Sequence, residues 1–99
     1  MRIYISGKIT GLLFYKEKFA AAEKELTAAG HVVLNPAILP AGLGSHNDYM
    51  DISYAMLNKC DAICMLEGWE DSKGAKMEKE YAEARGIKVF YQYDDKTEG

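Results

Sequence analysis

The stretch DAICMLEGWEDSKGAKMEKEYAEARG, Asp61 to Gly86, holds a strand, a turn and a helix in one pass. DAICML reads as a strand buried on both faces, because it is a short apolar run bounded by polar residues. EGWED is a turn, and Ser72 has the side chain of a helix cap. Laid on a helix at about 100° per residue, Lys76, Lys79, Glu80 and Glu83 fall on one side. Gly74, Ala75, Met77, Tyr81, Ala82 and Ala84 fall on the other. Glu78 lands near the middle of that small, apolar face. Arg85 lands there too, but in the last turn, where a long side chain reaches water. A carboxylate aimed at a core must be paired, hydrogen-bonded or neutralised.

The same alternation runs outward in both directions. RIYIS is a short strand ending at Gly7. YKEKFAAAEKELTAAG is a helix with Tyr15, Phe19, Ala22, Leu26 and Ala29 on one stripe and Gly30 as its stop. HVVLN is the second strand, closed by Pro36, and PAILPAGLGSHN is a long loop of the kind that carries function. Asn47 or Asp48 is expected to cap a second helix running to about Lys59. IKVFYQY is the last strand. Residues 1–93 are read as one domain and DDKTEG, 94–99, as a disordered polar tail.

Strands separated by helices imply parallel pairing through right-handed crossovers. The expected fold is α/β, a small doubly wound three-layer sandwich with a parallel sheet of four or five strands in the order 2-1-3-4. Ligands in such sheets sit beyond the carboxyl ends of the strands, here near the switch between strands 1 and 3. Ser6 to Gly11, Glu67 to Gly74 and the loop after Asn35 converge there. Glu78, one turn into the helix after strand 3, points towards that crevice.

The totals narrow the function classes. With 99 residues there is room for one modest core. The net charge of −3 carries no basic block, which argues against a nucleic-acid polymer as partner. No apolar run reaches the ~20 residues of a membrane span, and MRIYISG is a strand rather than a signal peptide. A cytoplasmic location follows as the expectation. Cys60 and Cys64 are spaced as CxxxC, which matches no common zinc or redox pattern and reads as two buried thiols. His31 and His46 are too isolated to make a metal site, and no cofactor is expected.

Each candidate site residue has two readings. Glu78 is either a half-exposed carboxylate bonded to a loop amide or to Arg85, or a positioned nucleophile or base in a cleft. DSKGA, with Ser72 and Gly74, is either an ordinary capped helix start or an anion site built from free amides. SGKITG brackets a tight turn with Gly7 and Gly11 and presents Lys8, yet it is no Walker loop, because Ile9 stands where Ser or Thr should follow the lysine. Tyr4 is a packing residue or a site residue. Ser53 shares the second helix's apolar face with Tyr49, Met50, Met56, Leu57 and Cys60. Trp69 is an exposed lid or an interface anchor.

YISGKITG, LNP after strand 2, DYM, AMLNKCDAI and GWEDSKGAKMEKEYA, in that order, resemble the nucleoside 2-deoxyribosyltransferase-like superfamily. The resemblance spans roughly residues 2 to 90. It is nearest to a short, functionally uncharacterised phage and bacterial branch, and more distantly to 2'-deoxynucleoside 5'-monophosphate N-glycosidases. The spacing of Ser72, Gly74, Glu78 and Ala82 carries it most specifically. It implies a flavodoxin-like sheet and cleavage or transfer at an N-glycosidic bond. Glu78 then matches the nucleophile, and Tyr4 matches a strand-1 tyrosine near the sugar. Ser6, Gly7, Lys8, Ser53, Ser72 and Gly74 fall on the substrate-binding positions, with Lys8 and Ser72 on phosphate contacts. Three positions depart from the pattern: Lys8 replaces a serine, Thr10 an arginine, and Ser53 the helix-2 aspartate.

The resemblance therefore implies a hydrolase or transferase acting on a (deoxy)nucleoside or its 5'-monophosphate, working as a homodimer or larger assembly with shared sites. The serine at position 53 supports a second reading, a nucleotide or sugar-phosphate binding module without turnover. A small interaction protein, with Trp69 and the tyrosines as its partner surface, is the third.

Overall fold

The computed structural model describes residues 1–40 and 42–92. The proposed tail, 94–99, lies outside the described residues. Four strands, β1 (Arg2–Ser6), β2 (Val32–Leu34), β3 (Ala62–Met65) and β4 (Lys88–Tyr91), alternate with three helices, α1 (Tyr15–Ala28), α2 (His46–Leu57) and α3 (Lys73–Ala84). The strands form one parallel sheet in the order β2-β1-β3-β4. This is the topology the strand–helix alternation predicts.

Side chains alternate across a strand, and the sheet divides its core accordingly. Ile3 and Ile5 of β1, with Ala62 and Cys64 of β3, pack under Phe19 and Ala22 of α1. Tyr4, with Ile63 and Met65 of β3, packs under Leu57 of α2 and Ala75 and Ala82 of α3. One helix therefore covers one face and two cover the other. The direction of chain travel requires this when every crossover is right-handed. Both faces are sealed around β3, whose four residues are all buried.

The helix ends follow from local chemistry. Gly30 takes a φ of 97°, a left-handed conformation that suits glycine at a helix stop. Ser72 caps α3 by accepting from the Ala75 N–H at 3.1 Å. The start of α2 corrects the sequence expectation of Asn47 or Asp48 as cap. The cap is Ser45, which accepts from the Asp48 N–H, while the Asp48 carboxylate accepts from the Ser45 N–H at 3.0 Å. Asp48 is the returning member of a capping box. Its spacing is visible in SHND, but three capping-type residues within four positions left the register undecided. The helix ends at Leu57, two residues short of the expected stop. We expect Ser45→Ala to lower stability by about 1 kcal/mol, read as a shift in the urea midpoint at unchanged slope.

Trp69 is not an exposed lid. It is half-buried in the short turn Trp69–Asp71 and packs on the α3 side of the sheet, its ring centroid 5.9 Å from that of Tyr91. Cys60 and Cys64 are both buried. The Cys60 thiol donates to the Met56 carbonyl, and burial pushes its pKa up to about 11. Among the described residues no helix is long and apolar enough to cross a membrane.

Candidate active site

A cavity of about 330 Å³ opens beyond the carboxyl ends of β1 and β3. That size falls at the lower end of the roughly 300–1,000 Å³ of small-molecule sites. Gly7, Ile9 and Thr10 line it from the turn after β1, Pro36, Ala37 and Leu39 from the loop after β2. His46, Tyr49, Met50 and Ser53 contribute from α2, and Ser72, Gly74, Ala75 and Glu78 from the start of α3. The loop after β2 is held in place by its own polar groups. Asn35 accepts from the Ala37 N–H at 2.8 Å and donates to Glu23 at 2.9 Å. The Tyr49 hydroxyl donates to the Pro40 carbonyl and so ties this loop to α2.

Glu78 is only 7% exposed, yet it lines the cavity. Its carboxylate is held from behind. The Tyr4 hydroxyl donates to Oε2 at 2.8 Å, and the Ser6 hydroxyl donates to Oε1 at 2.5 Å. Tyr4 and Ser6 are two apart on β1, so both point to the face that α3 covers. Each carboxylate oxygen has two lone pairs. One on each is engaged by these hydroxyls, which leaves capacity towards the cavity.

The electrostatics oppose one another. Burial raises the Glu78 pKa, and the hydroxyls of Ser6, Tyr4 and Ser53 each pull it back by stabilising the anion. Burial wins, so the group stays above the usual carboxylate value. Tyr4 is held well above its ordinary value by burial and then by the Glu78 charge. It remains a phenol, and therefore a hydrogen-bond donor. Neither a loop amide nor Arg85 is the partner of Glu78. Arg85 is exposed and sits over the Tyr81 ring at 4.8 Å.

Of the residues singled out in the sequence, Gly7, Ser53, Ser72, Gly74 and Glu78 line the cavity together. Tyr4 and Ser6 are fully buried beneath it and reach it through Glu78. Lys8 is half-buried and is not among the lining residues. Sequence reasoning missed His46 as a residue lining the cavity, having weighed it only as a metal ligand. It also missed Tyr15 and Phe19 of α1 as cavity walls. The signal for His46 was its neighbourhood, the end of a long glycine- and proline-containing loop already expected near the crevice.

The family model described as Domain of unknown function (DUF4406) matches residues 1–91. The chain belongs to the DUF4406 family. Its fold also matches a solved structure, the 2-deoxyribosyltransferase of the psychrotolerant bacterium Bacillus psychrosaccharolyticus, described as a biocatalyst for synthesis of antiviral and antitumoral nucleosides. The two share 18% identity with a TM-score of 0.71, over 92% of this chain and 71% of that one. No curated protein sequence matches the chain. This DUF4406 domain thus has the α/β fold of a deoxyribosyltransferase, as its sequence resemblance implies.

Proposed function

We propose that this DUF4406 protein cleaves or transfers the N-glycosidic bond of a (deoxy)nucleoside or nucleoside 5'-monophosphate, with Glu78 as nucleophile. The observation that carries this reading is a carboxylate buried to 7% exposure, gripped by Tyr4 and Ser6 and yet lining a ligand-sized cavity. A carboxyl group in that setting is costly for the fold. Functional sites are where such costs persist.

The chemistry uses each part. Displacement at an anomeric carbon passes through an oxocarbenium-like state, which a carboxylate stabilises and then traps as a glycosyl ester. Water or a second base attacks that ester and releases Glu78. Tyr4 and Ser6 fix the carboxylate's orientation, and the apolar walls of Phe19, Ala37, Leu39 and Met50 suit the flat face of a base. Ser72 and Gly74 at the start of α3 offer a hydroxyl and close backbone approach.

The test is base release, followed by chromatography, from the deoxynucleosides, their 5'-monophosphates and the nicotinamide dinucleotide. Free base from at least one, absent in Glu78→Gln, is the expected result. Release from none of them, or release equal in the variant, overturns the reading. A thermal shift with a nucleotide that survives Glu78→Gln, without product, would support the binding module instead.

A further inference from the structure

The proposed reaction needs a second group. The electron pair of the cleaved C–N bond goes to the leaving base, and a base without a proton is a poor leaving group. Ser53 is a weak acid, and Asp48 and Asp51 are exposed and not among the lining residues. Tyr4 is a buried phenol already committed to Glu78.

The geometry points to His46 as the group that protonates the leaving base. This assignment rests on the glycosidic reading of the cavity. His46 is the first residue of α2, exposed to solvent and lining the same cavity as Glu78. It stands over Gly74: a side chain placed there would meet the His46 Cε1 at 3.6 Å. Gly74 and Glu78 are four residues apart on α3, hence on one helix face and separated by about 6 Å along the axis. Helical side chains lean towards the amino end, so the Glu78 side chain reaches back towards the turn of α3 over which His46 stands. A leaving base accepts its proton at a ring nitrogen away from the cleaved bond. An imidazole a helical turn from the nucleophile has the right placement for that nitrogen, while Glu78 takes the anomeric carbon.

The step balances. A Glu78 oxygen forms the ester bond to the anomeric carbon, the C–N bond breaks, and the base leaves with that electron pair. It takes the proton of the His46 imidazolium and departs neutral. Water then attacks the anomeric carbon, the Glu78–sugar bond breaks, and the water's proton returns to the His46 imidazole. Histidine suits both directions, because the ring nitrogen that gives up a proton can take one back.

Leaving-group dependence tests this directly. The substrates are 2'-deoxyguanosine and 7-methyl-2'-deoxyguanosine, whose cationic base departs without an added proton. His46→Ala is expected to lose about 10²-fold in kcat on the first and less than about threefold on the second, because only the first needs an acid. Glu78→Gln is expected to lose activity on both. His46 is exposed and the Ser45 cap is retained in the variant, so the fold is kept; an unchanged melting temperature checks this. Equal losses on the two substrates, or no loss on either, overturn the role of His46 while leaving the glycosidic reading intact. No release from either substrate by the wild-type protein overturns it too, and the wider substrate panel then decides that reading separately.

Discussion

Glu78→Gln is expected to lower base release by at least roughly 10³-fold and, in the same molecule, to raise stability at neutral pH. The first effect follows because an amide oxygen cannot form the glycosyl ester. The second follows from burial. Folding raises the Glu78 pKa above its ordinary value, so the folded state favours the protonated form. The associated stability is fully present below the unfolded-state pKa and is lost as the pH rises through the folded-state value. Glutamine does not titrate and loses nothing. The stability advantage of Glu78→Gln should therefore be small near pH 4, grow as the pH rises, and level off once Glu78 is ionised in the wild-type fold. Thermal denaturation of both proteins from about pH 4 to about pH 8 measures it. Ser6 and Tyr4 hydroxyls can each accept as well as donate, so the glutamine amide keeps its partners. A difference that is flat with pH, or that favours the wild type more as the pH rises, would contradict the buried-carboxylate account.

Removing the grip behind the carboxylate should have the second largest effect. Tyr4→Phe with Ser6→Ala deletes the hydrogen bonds to Oε2 and Oε1. Hydrogen bonds to charged groups contribute about 1.5–3 kcal/mol each, so the pair should lower kcat by about 10²–10⁴-fold at neutral pH. Both hydroxyls favour the ionised form, so their loss raises the Glu78 pKa further. The acid limb of the pH–rate profile should move to higher pH, and part of the lost activity should return in alkali. A structural role alone would lower activity without moving that limb. Ser53 keeps its influence on Glu78 in this variant, so single variants at positions 4 and 6 should each show a smaller displacement in the same direction.

The architecture was legible in the sequence because it rests on short-range rules. Alternating apolar runs and amphipathic stretches, punctuated by Gly30, Pro36, Gly68 and Gly86, leave a parallel α/β sheet as the consistent topology. The cap of α2 was less legible, since Ser45, Asn47 and Asp48 all have capping side chains and only the backbone conformation selects Ser45. Trp69 was ambiguous for a related reason. A turn residue's surroundings come from other elements, here Tyr91 of β4.

What the sequence determined by itself about the site was the direction of Glu78. A carboxylate placed amid Ala75, Met77 and Ala82 at helical spacing must face the sheet, because the 3.6-residue period leaves it nowhere else. Only the tertiary structure decided what it meets there. Tyr4 and Ser6 are 74 and 72 residues away along the chain and reach its oxygens only once β1 lies under α3. His46 comes over Gly74 only once α2 and α3 share one face of the sheet. Periodicity tells which way a side chain points, but its partner comes from the crossovers that fold distant segments together, and no local pattern encodes that distance.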